Sequence, residues 1–360
     1  MHPGASLSVP RPGAAEAARA LSTPAVVLLL AMTAAAALSA CGRGYDASQH
    51  DSATGSVAPT SSPATGEHTD GRDGAPRTQP TLTMRVLDVS DSRVGGQAVL
   101  LADSAERGVR YVLIDGGERP REVAQALRRL HVDTLALVVL THAHADHYGG
   151  LTEVMRTFPV QAFAFNGDAR TLASYNRMLA AVERSRARVI VMDSTARTVT
   201  LALPGRATVR LTLLGVPAQR SRSGDPENNR SVGVLVHFGR FSALVPGDAE
   251  LDEMRWWMRR YGTMLDVHVL VAGHHGSANA NSTSARPDWD RIVTPRVLLV
   301  SANGRQHPFA EVIDYARAHG IAVYCTHTSG AISVRATADG TWAVSTERPA
   351  ACTAGSDRPH

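Results

Sequence analysis

One short segment constrains this chain more than any other, because it places metal-ligand side chains directly after an apolar strand. Residues 134–140 form a nearly continuous apolar run, which is typical of a strand buried on both faces. His142 then begins the sequence His-Ala-His-Ala-Asp-His. Alternate residues of an extended segment point the same way, so His142 and His144 can offer two imidazoles to one ion. Asp146 and His147, at the turn into the next helix, can serve a second ion close by.

A metal-free loop is a poor alternative for this segment. Four of its six residues are ligand types, and burying so many polar groups without a partner would be costly. The small Ala spacers and the pair Gly149 and Gly150 let the backbone wrap tightly around a site. The sequence therefore predicts a site for one or two Zn²⁺ ions, with Mn²⁺ as the alternative.

The order of apolar and amphipathic segments predicts an α/β chain with two similar halves. In each half, short β-rich segments precede strand–helix units, which suggests two mixed sheets packed face to face with helices outside, a four-layer αββα sandwich in a single domain. The predicted strands are 82–89, 97–102, 110–114, 134–140, 231–238, 241–245, 267–271, 297–300, 321–324, 331–335 and 341–344, and the predicted helices are 119–130, 250–260 and 309–319.

The histidine segment resembles the H-x-H-x-D-H signature of the metallo-β-lactamase superfamily. Two carboxylates outside the signature, one before it and one after it, fall in the order that this family shows. Asp115, in an Asp-Gly-Gly turn after an apolar strand, resembles a carboxylate that orients a ligand histidine from behind. Asp248, in a Pro-Gly-Asp turn after another apolar strand, resembles the carboxylate that bridges two metals. Alone, either turn would be unremarkable.

Further segments resemble one branch of that superfamily, the hydrolase domain of ComEC-type competence proteins and their secreted relatives. They are Asn-Asn-Arg-Ser around Asn229, His-His-Gly-Ser from His274 to Ser277, and His307-Pro308. The resemblance covers roughly residues 83–340 and lacks the membrane channel of a competence protein. It implies metal ligation by His142, His144, Asp146, His147, Asp248 and His275, catalytic roles for Asp146, His274 and His307, and support of the site or substrate contact by Asp115, Asn229 and Ser277. The assignment of the last ligand among His274, His275 and His307 stays open.

One departure from the family pattern bears on the number of metals. Most two-metal members supply another histidine after the strand that follows the signature helix, and residues 158–170 contain none. Asn166 or Asp168 can substitute, or else the site at His142 and His144 is completed by water or from elsewhere. Occupancy of both sites therefore stays open.

The chemistry of such a site predicts a hydrolase. Zinc held by neutral imidazoles lowers the pKa of bound water to about 7, which gives a hydroxide nucleophile at neutral pH. A metal-dependent phosphodiesterase or nuclease, including a phosphorylcholine esterase, is the first hypothesis, with nucleic acid among its candidate substrates. A formal charge of +4 does not by itself argue for nucleic acid. The alternatives are hydrolysis of a lactam, lactone or thioester at the same site, and a non-catalytic anchored binding module.

The N-terminal region predicts export and lipid anchoring. An Ala-rich apolar run ends at Leu-Ser-Ala-Cys, which resembles the lipobox of bacterial lipoproteins with Cys41 as the acylated residue. We expect a signal peptide at 1–40, a disordered tether at 41–80, the hydrolase domain at 81–346 and a flexible tail at 347–360. The protein would then act outside the cytoplasm on small or polymeric substrates, held to the membrane only by its lipid. Pairing of Cys325 with Cys352 stays open.

Overall fold

The computed structural model describes residues 79–89, 95–105, 108–201, 208–222 and 224–356. The predicted signal peptide, Cys41 and nearly all of the predicted tether lie outside these residues. Among the described residues, none forms a helix of the length and apolar character that crossing a membrane requires.

The described residues form fifteen strands and eight helices. The strands are β1 (Thr81–Val86), β2 (Val99–Ala105), β3 (Gly108–Ile114), β4 (Leu135–Val139), β5 (Ala162–Phe165), β6 (Arg188–Val191), β7 (Arg197–Leu201), β8 (Val209–Leu213), β9 (Val234–Phe238), β10 (Phe241–Val245), β11 (Val269–Val271), β12 (Val297–Val300), β13 (Ala322–Cys325), β14 (Ile332–Thr337) and β15 (Trp342–Thr346). The helices are α1 (Glu122–Arg129), α2 (Ala145–Tyr148), α3 (Leu151–Thr157), α4 (Ala173–Ser185), α5 (Leu251–Tyr261), α6 (Asp290–Val293), α7 (Ala310–Ala318) and α8 (Thr326–Ser329). Short 3-10 turns lie at Asn228–Arg230, Gly262–Leu265 and Gly273–Gly276.

The strands form two mixed sheets of similar design. The first has the order β15-β14-β1-β2-β3-β4-β5-β6, and the second has the order β13-β12-β11-β10-β9-β8-β7. In the first sheet, β3, β4, β5 and β6 pair in parallel, and in the second β10, β11, β12 and β13 do so. The remaining pairs are antiparallel. Each sheet therefore has one antiparallel and one parallel half.

Three apolar layers hold the two sheets and their helices together. The largest lies between the sheets and joins Met84 and Val139 of the first to Val236 and Leu299 of the second. The outer face of the first sheet packs against α1, α3 and α4, and the outer face of the second packs against α5, α6 and α7. Because both faces of the central strands are covered, β4 and β10 have almost wholly apolar sequences. The predicted αββα sandwich in a single domain is confirmed.

Helix α5 follows ordinary amphipathic packing. Trp257 is fully buried, and its indole N–H donates to the Gly215 carbonyl at 2.9 Å. Arg259 and Arg260 are exposed, and the Arg260 guanidinium lies 5.4 Å from the Trp256 ring centroid. Trp257 therefore serves the packing of the second sheet.

The C-terminal segment differs from the flexible tail that the sequence predicts. Cys325 at the end of β13 forms a disulfide with Cys352, which is buried. The Cys352 carbonyl accepts a hydrogen bond from Arg317 at 2.7 Å, and the Gly355 N–H donates to the Pro308 carbonyl at 2.8 Å. Residues 347–356 are thus packed on the domain, because a covalent link and backbone hydrogen bonds replace the apolar pattern that the sequence lacks there. The predicted tail at 357–360 lies outside the described residues.

Candidate metal centre

The candidate site lies where the parallel strands of both sheets end. His142 follows β4, Asp248 follows β10, His275 follows β11, and His307 follows β12. Carboxyl ends of neighbouring parallel strands meet at one edge of a sheet, and packing the two sheets face to face brings both edges together. The sandwich therefore converges its polar loops on a single cleft.

One group of ligand atoms combines the first two histidines of the signature with Asp248. The His142 Nε2 and His144 Nδ1 atoms lie 3.1 Å apart, and His142 Nε2 lies 3.7 Å from Asp248 Oδ2. All three side chains offer ligand atoms within 4.8 Å of one another. His142 and Asp248 are buried, whereas His144 is partly exposed.

A second group lies beside the first and shares Asp248 with it. His147 Nε2 is 3.2 Å from Asp248 Oδ1, and His275 Nε2 is 3.1 Å from Asp146 Oδ2. These four side chains also offer ligand atoms within 4.8 Å of one another. Since Asp248 belongs to both groups, this carboxylate lies between two candidate metal positions.

The donor set fits a divalent metal. Two ligands of a tetrahedral zinc lie about 3.4 Å apart, given Zn–N and Zn–O distances of about 2.0–2.1 Å. The separations between facing atoms here run from 3.1 Å to 3.8 Å. His147 Nε2 and Asp248 Oδ1 are both buried without a hydrogen-bond partner, which a cation would satisfy.

Each buried ligand histidine has one ring nitrogen that faces away from the cluster. The group that contacts this nitrogen is called the outer partner of the histidine. Asp115 Oδ2 accepts from His147 Nδ1 at 2.8 Å. The Ser301 carbonyl accepts from His275 Nδ1 at 2.8 Å. Thr141 Oγ1 donates its single proton to Asp115 at 2.9 Å, so it must accept from His142 Nδ1 at 3.1 Å. With these partners, each of the three rings can keep a proton on Nδ1 and leave Nε2 for a metal, as metal binding requires.

Asp115 is the centre of this outer layer. Besides His147, it accepts hydrogen bonds from the Thr141 N–H at 2.8 Å and from Gln97 Nε2 at 2.9 Å. Its backbone has φ +62°, a left-handed conformation that is rare outside glycine. The predicted role of Asp115 behind a ligand histidine agrees with this placement, and the supporting Gln97 and Thr141 were not identified from sequence.

The cluster strongly perturbs its own ionisation. Burial opposes charging of His147, but the carboxylates of Asp248, Asp115 and Asp146 outweigh burial and hold its pKa well above the ordinary value. For His142, burial and the neighbouring His147 hold the pKa well below the ordinary value. Burial alone would raise the pKa of Asp248, yet the surrounding histidines, His147 first, hold it well below its usual range. This concentration of perturbed groups is typical of a functional site.

A left-handed backbone conformation orients the two histidines that follow β11. His274 and His275 both have positive φ, at 46° and 55°, and the His274 N–H donates to the Gly247 carbonyl at 3.2 Å. Gly247 itself has φ +62°, and a Cβ there would lie 2.7 Å from Thr141 Cβ. Left-handed residues of this kind persist only where the surroundings enforce them. Here they direct His275 into the cluster and His274 to its rim.

His274 and His307 stand beside the cluster rather than in either ligand group. His274 Nδ1 lies 3.5 Å from Glu250 Oε1, and its Nε2 lies 3.9 Å from Asp248 Oδ2. Burial is outweighed by Asp248 and Glu250, which raise the pKa of His274 to about 9. The His307 ring lies 5.4 Å from that of His274, and burial together with His275 and His274 lowers the pKa of His307 to about 3.

Neither substitute for the missing histidine joins the ligand groups. Both oxygens of Asp168 accept from Arg230 Nε, at 3.0 Å and 2.9 Å, and Asn166 Nδ2 donates to the Arg230 carbonyl at 2.8 Å. These side chains therefore hold the chain at Arg230. Sequence alone could not exclude them, because their partner lies more than sixty residues away.

The remaining predicted residues support the loops of the site. Asn229 Nδ2 donates to the Asp225 carbonyl at 3.1 Å, and its Oδ1 accepts from the Glu253 N–H at 3.1 Å. The Ser277 N–H donates to the His274 carbonyl at 2.9 Å and closes the turn that carries both histidines. Glu250 was not predicted from the sequence as a site residue. It lies two residues after Asp248, and this proximity could have indicated a place near the site.

Comparison with known proteins agrees with this geometry. Residues 94–302, more than half of the chain, match the family model described as the metallo-beta-lactamase superfamily. Competence protein ComA of Neisseria gonorrhoeae is 34% identical over 119 residues, which are 32% of this chain and 16% of that protein. The chain thus matches only a small part of that relative's length.

Solved structures resemble the chain more distantly. Tm1679, a metal-dependent hydrolase of the beta-lactamase superfamily, is 14% identical, with coverage of 74% of this chain and 99% of that chain and a TM-score of 0.44. A diphosphatase from the PhnP family is 18% identical, with coverage of 74% and 97% and a TM-score of 0.37. Neither likeness bears on the activity of this chain.

Proposed function

The chain belongs to the metallo-β-lactamase superfamily, and on that premise we propose that it is a metal-dependent phosphodiester hydrolase that acts outside the cytoplasm. The observation that carries the proposal is the pair of ligand groups joined by Asp248. Two divalent ions about 3.5–4 Å apart are the arrangement that phosphatases and nucleases use for in-line displacement at phosphorus. When bound, such ions supply Lewis acidity that activates water and neutralises charge on the phosphoryl group.

The chain's own residues prepare the site for that chemistry. Asp115, Thr141 and Ser301 accept from the outer nitrogens of three ligand histidines, so they favour the tautomer in which Nε2 is left for a metal. The buried strand ends fix these side chains and exclude water from behind the cluster. Little rearrangement is then needed when an anionic substrate enters from the open side, where His144 and His274 are partly exposed.

Two histidines at the rim have pKa values shifted in opposite directions in the metal-free chain. Against the effect of burial, Asp248 and Glu250 raise the pKa of His274 to about 9, and from the rim its ring can bind a phosphate oxygen or protonate the leaving oxygen. With a pKa of about 3, His307 is neutral and can accept a hydrogen bond from substrate. Neighbouring groups whose pKa values are driven apart are typical acid and base partners.

The location follows from two features. The lipobox at Cys41 favours export and anchoring, and the buried Cys325–Cys352 disulfide is of the kind that persists in oxidising compartments. We propose Zn²⁺ as the resident metal, because imidazole-rich groups with few carboxylates suit it, with Mn²⁺ as the alternative.

The proposal is tested by comparing the hydrolysis of three substrates by one preparation. Bis(p-nitrophenyl) phosphate, nitrocefin and a homoserine lactone are compared for wild type, Asp146→Ala and the control Asp288→Ala, whose side chain is 70% exposed. We expect turnover of the phosphodiester alone, lost in Asp146→Ala and kept in the control. Turnover of only the other two would favour the lactam or lactone alternative, and no metal-dependent turnover of any would favour a binding module.

A further inference from the structure

The fourth ligand histidine also has an outer partner, although no sequence motif points to it. His144 turns Nδ1 toward His142 Nε2, at 3.1 Å, and its other nitrogen, Nε2, lies 3.7 Å from Asp225 Oδ2. Because His142 carries its proton on Nδ1, its Nε2 is an acceptor. A second acceptor must face it if a metal is to bind between the two rings. That requires the proton of His144 to lie on Nε2, toward Asp225.

Asp225 is held in place by its own loop. Its Oδ1 accepts from the Glu227 N–H at 2.7 Å and from the Asn228 N–H at 3.3 Å, which leaves Oδ2 for His144. The Asp225 N–H donates to Glu250 Oε2 at 3.0 Å. Gly224, just before it, has φ +67°, and a Cβ at that position would lie 1.9 Å from the same Glu250 oxygen. A side chain at 224 would therefore displace the Glu250 carboxylate or strain the loop.

We propose that Asp225 is a positioning residue for the metal site at His142 and His144: its carboxylate, 3.7 Å from His144 Nε2, would close to a hydrogen bond with that N–H when a metal occupies Nδ1. It thereby supplies from a loop what Asp115, Thr141 and Ser301 supply to the other three histidines. Outer partners of this kind commonly change metal affinity by 10–100-fold when they are removed. The proposal rests on the metal centre of the proposed function but not on its substrate.

The contact between Asp225 and His144 compensates for the histidine that residues 158–170 lack. The group at His142 and His144 has fewer protein ligands than the group at His147, and His144 is its most exposed member. A ring that is free to rotate or change tautomer would bind a metal weakly there. Fixing this ring is therefore worth most at the site with the fewest ligands.

The substitution Asp225→Asn removes the proposed contact with His144 while keeping the hydrogen bonds that hold the loop. In Asp225→Asn, the remaining oxygen can still accept from the Glu227 and Asn228 N–H groups, while an amide N–H₂ replaces the oxygen that faces His144. The amide donates and cannot accept the Nε2 proton, so it opposes the metal-binding tautomer. Asp288→Asn serves as the matched control, since that carboxylate is 70% exposed and lies 3.6 Å from Arg291.

The test measures Zn²⁺ affinity of the full chain by chelator competition, without substrate. We expect two binding steps in wild type and in Asp288→Asn, with one step weakened 10–100-fold in Asp225→Asn and the urea midpoint of the metal-free protein unchanged. Equal affinities in wild type and Asp225→Asn would overturn the proposal. Long-range ¹H–¹⁵N spectra of the zinc-loaded wild type should show His144 ligated through Nδ1, and ligation through Nε2 would also overturn it. Failure of phosphodiester turnover with these affinities intact would count against the proposed function alone.

Discussion

Replacing Asp115 by Asn should uncouple the outer layer from the metal centre while changing almost no volume. The Thr141 N–H can keep its acceptor, but an amide N–H₂ now faces the three donors that Oδ2 accepts from, on Gln97, Thr141 and His147. Each buried donor left without an acceptor costs about 1–3 kcal/mol, and removing one partner of a buried charged pair costs about 3–5 kcal/mol. We expect the free energy of unfolding to fall by about 3–5 kcal/mol.

The effect on the metal centre should be separate from this loss of stability. Without the carboxylate, the His147 proton moves from Nδ1 to Nε2 and blocks the nitrogen that faces Asp248, so Zn²⁺ affinity should fall 10–100-fold. Urea unfolding of metal-free protein and chelator competition measure the two quantities, with Asp288→Asn as control. A change below about 1 kcal/mol with unchanged affinity would refute the reasoning.

Three further predictions probe the fold and the rim of the site. Burial raises the pKa of Asp103 from 3.8 to about 6, so the stability linked to its protonated form is fully present below pH 3.8 and lost as pH rises through 6. Asp103→Asn should therefore stabilise the protein above pH 6 by about 1–2 kcal/mol after screening is allowed for, and not below pH 3.8, whereas a pH-independent difference in urea unfolding would contradict this. Replacing Cys325 and Cys352 by Ser should cost about 3.5 kcal/mol by loop-closure entropy for a separation of 27 residues, and wild type in reductant should lose the same amount. His307→Ala should lower kcat for a phosphodiester about 10²-fold with metal content unchanged, and loss of metal from this variant would instead make His307 a ligand.

The part of the site that could be predicted from sequence is the part that local order determines. Ligand spacing within the signature requires only that a strand end in a turn, so His142 to His147 could be placed before the structure was known. Asp115 and Asp248 could be located because each ends an apolar strand in the expected order.

The contacts that sequence did not reveal are those made across long separations. Asp168 is a ligand type near the right place, yet Arg230 takes both of its oxygens. Ser301 acts through its carbonyl, which every residue has, so its identity carries no signal. Asp225 shares a loop with the Asn-Asn-Arg-Ser segment, but its relation to His144 depends on how the two sheets pack.

Element prediction failed in one region for a related reason. Strands β5 to β8 and helix α4 were absent from the prediction, although the strands around them were located to within a few residues. Strand β6 carries exposed Val189 and Val191 at the sheet edge, so its apolar pattern does not alternate as a half-buried strand should. The tail from 347 was misjudged because a disulfide, rather than an apolar face, fixes it.

Metal content of the full chain and of Asp248→Ala tests the central claim most directly. Asp248 joins both ligand groups, so the account predicts about two equivalents of Zn²⁺ in wild type after dialysis, fewer than one in Asp248→Ala, and loss of phosphodiester turnover with the metal. An equal metal content in the two proteins, or turnover by wild type that persists after complete chelation, would contradict it.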